Sequence, residues 1–152
     1  MRAAPLVALL LAGCALGPSP TQTPGHDGHD PQAERVIGAL GEELGMIFEP
    51  AGPHHQLGKA PDGTQLDLIG VPAEQVVLSV PADDPEAGLA YLPHIRDLFH
   101  GPDRIYDWVA AMLACRTDVA RACEVALAQG NLEARFSDGG PDYIVVAIGR
   151  QP

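Results

Sequence analysis

The 152 residues carry 20 acidic side chains against 9 basic ones, a formal charge of −11 at neutral pH. That balance argues against binding to nucleic acid or to anionic lipid headgroups, since both need clustered cations. The length suits one domain with one core, and the 17 glycines and 15 prolines predict many turns.

Met1 and Arg2 make a short positive start, and Pro5 to Ala12 an apolar run far below the roughly 20 residues of a membrane-spanning helix. With the small residues Ala12 and Gly13, the pattern is that of a secretory signal. The stretch Leu11-Ala12-Gly13-Cys14 resembles the lipobox of bacterial lipoproteins, a resemblance confined to residues 1–14. It implies cleavage just before Cys14, a diacylglyceryl group on that thiol and acylation of the new amino group. Removing residues 1–13 takes away Arg2 and no acid, leaving a formal charge of −12. Attachment then falls to the acyl chains, at about 0.8 kcal/mol per buried methylene. The resemblance thus implies a bacterial envelope protein held by lipid, with its domain outside the cytoplasm. Ala15, where retention in the inner membrane usually goes with Asp, favours the outer membrane of a cell that has two. The competing reading is a cysteine that happens to end an ordinary signal peptide.

Residues 14–33 follow as a tether, with Pro18, Pro20, Pro24 and Pro31 among Ser, Thr, Gly and Gln and no apolar period. Such a segment buries too little to offset its chain entropy. Within it lie His26-Asp27-Gly28-His29-Asp30, whose imidazoles and carboxylates suit Zn or Cu(II). A tether gives such ligands no second-shell support, so a solvated polar spacer explains the same residues.

The domain is expected over 34–152. Val36, Ile37, Leu40 and Leu44 lie at helical spacing and Gly45 can end the helix. Met46-Ile47-Phe48 reads as a short strand stopped by Pro50, and residues 51–63 as a loop punctuated by Pro53, Pro61 and Asp62-Gly63. That loop holds His54-His55, a second candidate metal or proton-transfer pair, although adjacent side chains normally diverge. Residues 64–71 and 75–80 alternate around Leu66, Leu68, Val76, Leu78 and Val80, a hairpin turning at Pro72-Ala73-Glu74 with Asp67 and Ser79 on its wet face. Asp83-Asp84-Pro85-Glu86 predicts a capped helix start better than it predicts a cation site. The helix that follows, with Leu89, Leu92, Ile95, Leu98 and Phe99, is kinked or divided at Pro93. A helix from Asp103 carries the stripe Ile105, Trp108, Val109, Met112 and Leu113, with Trp108 as its central packing residue. His94 and His100, six apart, share no helix face.

Cys115 and Cys123 are the remaining thiols, and outside the cytosol an even pair predicts a disulfide. One continuous helix through both would hold their α-carbons about 12 Å apart, beyond the roughly 7 Å that a bridge spans. A break at Arg116-Thr117-Asp118, with a fresh helix from Val119 to Gly130, permits bridging; a long helix with two free thiols is the alternative. Leu132, Ala134 and Phe136 then mark one face of a strand, and Tyr143 to Ile148, apolar on both faces, an inner strand covered on both sides. The expected fold is a small single α+β domain, mainly an antiparallel sheet of about five strands with three to four helices on one face.

No Gly-x-Ser-x-Gly turn, phosphate loop or His-Glu-x-x-His occurs, and Glu49, Asp67 and Glu133 are acids with no reason to pair. The expected function is therefore non-catalytic and without a cofactor: a tethered domain that binds or scaffolds an envelope protein or component. The alternative is a metal-binding (Zn or Cu) lipoprotein using His26, His29, His54 and His55. Carriage of a small ligand is a further option, and it needs an apolar pocket.

Overall fold

The computed structural model describes residues 30–114 and 125–151. They form a two-layer α+β domain in which one seven-stranded antiparallel sheet is backed by helices. The first helix, α1, spans Pro31–Leu44 and so begins inside the segment read as tether. Asp30 caps it, its Oδ1 accepting from the backbone N–H of Gln32 and Ala33, and Gly45 at φ 66° closes it. A left-handed φ of that kind is what glycine allows at a helix end.

Strand β1, Ile47–Gly52, runs through Pro50 instead of stopping there. It is an edge strand, bonded only to β2, with a register shift between Pro50 and Gly52, and an edge is where a strand tolerates proline. The expected loop contains β2, His55–Lys59, paired with both β1 and β3. Its sequence gave no strand signal because the core side is Gln56 and Gly58, while the one aliphatic, Leu57, faces away. Gly58 is required by close approach: a Cβ there would lie 2.6 Å from Met46 Sδ and 2.7 Å from Phe48 Cε1.

The alternating pair appears as β3, Gln65–Ile69, and β4, Gln75–Pro81, joined by the expected turn. Asp84 sits at the start of the next helix but makes no side-chain cap. Pro93 divides that segment: a 3-10 helix over Pro85–Tyr91 gives way to α2, Leu92–Phe99, with the proline in its first turn. Helix α3, Asp103–Ala114, buries Ile105, Tyr106, Val109 and Leu113. Trp108 is not at the centre of this packing; it lies half-buried at the margin, its ring edge-on to Phe136 with centroids 5.5 Å apart.

Of the helix expected from Val119 to Gly130, the described part is instead strand β5, Val125–Gln129. Gly130, at φ 63°, serves the turn into β6, Leu132–Asp138, rather than a helix end. Pairing with β6 outweighs the helical propensity of Ala126-Leu127-Ala128. Strand β7, Tyr143–Arg150, lies between β6 and β4, so the sheet order is β1-β2-β3-β4-β7-β6-β5. Seven strands thus replace the expected five, the added ones being β2 and β5.

Burial alternates strictly along β3, β4 and β7. Leu66, Leu68, Val76, Leu78, Val80, Leu132, Ala134, Phe136, Ile144, Val146 and Ile148 face the helices and are buried with Leu40, Ile95, Ile105 and Val109 in one core. The intervening residues are half-exposed, so β7 is an inner strand covered on one side only. No helix among the described residues is long and apolar enough to cross a membrane.

Candidate binding face and the histidine-lined cavity

Among the described residues every helix lies on the core side, and none covers the other face of the sheet. Register defines its rows. Ile47, Lys59, Gln65, Ser79, Val145 and Ser137 lie in line across β1, β2, β3, β4, β7 and β6. The next row is Glu49, Leu57, Asp67, Val77, Ala147 and Arg135. His55, Ile69, Gln75, Gly149 and Glu133 form a third.

Charge sits at the flanks of this face. The outer strands carry Glu49, Lys59, Asp67, Glu133 and Arg135, whereas β4 and β7 expose Gln75, Val77, Ser79, Pro81, Tyr143, Val145, Ala147 and Gly149, none of them charged. Aliphatic Leu57, Val77 and Ala147 share the middle row, with Ile69 and Val145 in the rows on either side, all half-exposed, and Ile47 at the edge is 70% exposed. An uncharged centre with a charged rim is the arrangement of a protein-binding patch.

Two side-chain pairs bound it. His55 Nε2 lies 2.6 Å from Asp67 Oδ1, and Arg135 donates to Glu133 Oε1 at 3.0 Å. The three acids singled out in the sequence do not converge: Glu49 is on the edge strand, Asp67 is two strands away beside His55, and Glu133 lies beyond β4 and β7.

His54, at φ 57°, occupies the turn between β1 and β2 and is exposed, while His55 starts β2. Together with Asp30, Glu34, Gln56 and Gly70 they line a cavity of about 170 Å³ between α1 and the β1–β2 hairpin. The carboxylate of Asp30 is already engaged, its Oδ2 accepting from Ala73 N at 3.0 Å. Burial acts to raise its pKa, but the N–H groups of Ala73, Ala33 and Gln32 and the charge of Arg150 outweigh that and hold it below the ordinary value of 3.8. Among the described residues no three His, Cys, Asp or Glu side chains are grouped to hold a metal ion.

His94 and His100 clamp α2 to α1. His94 Nε2 lies 3.4 Å from Glu43 Oε2, and the His100 ring meets the Gln32 amide. A groove of about 530 Å³ lined by Leu89, Leu92, Pro93, Tyr106 and Ala110 opens between α2 and α3. Cys14, His26, His29, Cys115 and Cys123 lie outside the described residues. The open face was missed in the sequence because Val77 and Val145 occupy positions assigned to a wet face or to a second covered one; aliphatics recurring there are the signal that marks it. The chain matches no protein-family model, no curated protein and no solved structure.

Proposed function

We propose that this chain is a lipid-anchored envelope lipoprotein, acylated at Cys14, whose domain is a non-catalytic binding or scaffolding module working through its open sheet face. The observation that carries the binding role is the uncharged, partly aliphatic centre of β4 and β7, left bare by a helical layer confined to the other side. The lipobox resemblance carries the address. A domain of formal charge −12 after cleavage gains nothing from anionic headgroups, so the acyl chains supply the attachment. Metabolic labelling with a palmitate analogue tests the anchor: the wild-type chain incorporates label and fractionates with membranes, and Cys14→Ser does neither. Label retained by the Cys14→Ser chain overturns this part of the reading.

One observation favours metal binding as a second reading. Asp30, where the His26-to-Asp30 segment joins α1, lines the same cavity as His54 and His55. Titration with Zn or Cu(II) decides it: binding lost in both His29→Ala and His54→Ala chains supports a joint site. Affinity unchanged by either substitution removes that reading.

A further inference from the structure

We infer that the occupant of the open sheet face is a second copy of this chain, packed sheet to sheet about a two-fold axis that passes between β4 and β7 at about 15° to the strands, half the usual crossing angle of stacked sheets. This rests on the binding role proposed above and names the partner.

The central row carries the argument. Reading across β3, β4, β7 and β6, the open face presents Asp67, Val77, Ala147 and Arg135 in register. The order is acid, bulky aliphatic, small aliphatic, base. A two-fold between β4 and β7 lays this row on itself in reverse, as an isologous contact requires. Val77 of one copy then covers Ala147 of the other, and Asp67 faces Arg135, each contact occurring twice. In the row above, Ser79 covers Val145 and Gln65 covers Ser137; in the row below, Gln75 covers Gly149. No like charges are opposed in these three rows between β3 and β6. Each member of the charge pair also holds a partner within its own copy, Asp67 with His55 and Arg135 with Glu133, so the intermolecular contact extends existing pairs. Sheets stacked face to face cross at about 30°. One and a half strand spacings from the axis, that angle displaces the facing groups by about 4 Å, within the reach of an arginine.

Area is consistent with a stable pair. Seven strands of five to eight residues, spaced about 4.8 Å apart and rising about 3.4 Å per residue, make a face about 30 Å by about 20 Å in projection. A standard interface buries about 800 Å² of accessible surface per partner, which a pleated face of this size supplies. The net negative charge opposes association, but β4 and β7 contribute none of it to the contact. Screening over about 8 Å at physiological salt limits the remainder.

The test is the mass of the full chain in a non-denaturing, density-matched detergent, measured by sedimentation velocity across protein concentrations. The wild type is expected as a dimer. Val77→Lys is expected as a monomer with unchanged secondary structure by circular dichroism, since Val77 is half-exposed, and with a melting temperature that, unlike the wild type's, does not rise with protein concentration. Asp67→Arg and Arg135→Asp each weaken pairing at least about tenfold, and the double exchange restores it by recreating opposite charges at both contacts. A wild-type chain that is monomeric throughout overturns self-pairing, as does a dimer indifferent to Val77→Lys or a double exchange that restores nothing. Photocrosslinking from position 77 in membranes separates the two failures. For a monomeric chain, an adduct to a different protein leaves the binding reading standing, and the absence of any adduct removes both.

Discussion

Gly58 and Asp30 show how single residues set the edges of this fold. Gly58 lets β2 lie against Met46 and Phe48, so Gly58→Ala is expected to cost about 1–3 kcal/mol by overpacking, read as a lower urea midpoint. An unchanged midpoint contradicts that packing. Asp30 ties the start of α1 to Ala73, whose residue is 3% exposed. Asp30→Ala therefore removes a cap and leaves a buried N–H without its acceptor, a loss of about 2 kcal/mol or more. The carboxyl is a stronger acid in the folded chain than in the unfolded one. Its contribution is thus complete above the unfolded pKa and is lost as pH falls from about 3.8 through the folded value. Denaturation followed over that range should show a steeper loss for the wild type than for Asp30→Asn; parallel curves contradict the assignment. Neither residue announced itself in the sequence. Asp30 read as part of a polar tether and Gly58 as loop, because the partners that give them meaning, Ala73 and Met46, come from other elements.

At the scale of elements, segments with a strong period were legible and those without one were not. Helices α1 and α3, strands β3, β4 and β6 and the division at Pro93 all follow from apolar spacing or proline chemistry. Strand β2 was hidden because a glycine and a glutamine occupy its core side, and β5 because Ala126, Leu127 and Ala128 suit a helix as well as a strand. The strand identity of β5 also bears on the cysteines. From Val125 onward the chain is strand, so no helix runs unbroken from Asp103 to Gln129, while Cys115 and Cys123 lie outside the described residues. We propose, from the even pair of thiols in an exported chain, that Cys115 and Cys123 form a disulfide. Chain recovered from an oxidising compartment and unfolded without reductant should show neither thiol free, and reduction should lower stability by about 2–3 kcal/mol. Two reactive thiols contradict the bridge.

Over the whole molecule, the decisive feature is asymmetry between the two faces of one sheet. One face is sealed by three α-helices and a 3-10 helix; the other keeps Leu57, Ile69, Val77, Val145 and Ala147 half-exposed between charged flanks. The sequence of β7 already contained the mismatch, being apolar on both sides where the described residues supply helices for only one. Sequence patterning records that a surface is apolar, but not whether the cover comes from the same chain. The anchor proposed at Cys14 would add a consequence of its own, because confining the domain to a membrane raises its local concentration and favours lateral contacts. The most direct test places a photoactivatable residue at Val77 on the open face and, separately, at Glu42 on the exposed side of α1, and irradiates intact membranes. Self-pairing through the open face gives a discrete adduct from position 77, at twice the mass of the chain, and none from position 42. Equal adducts from both positions, or none from 77, would contradict it.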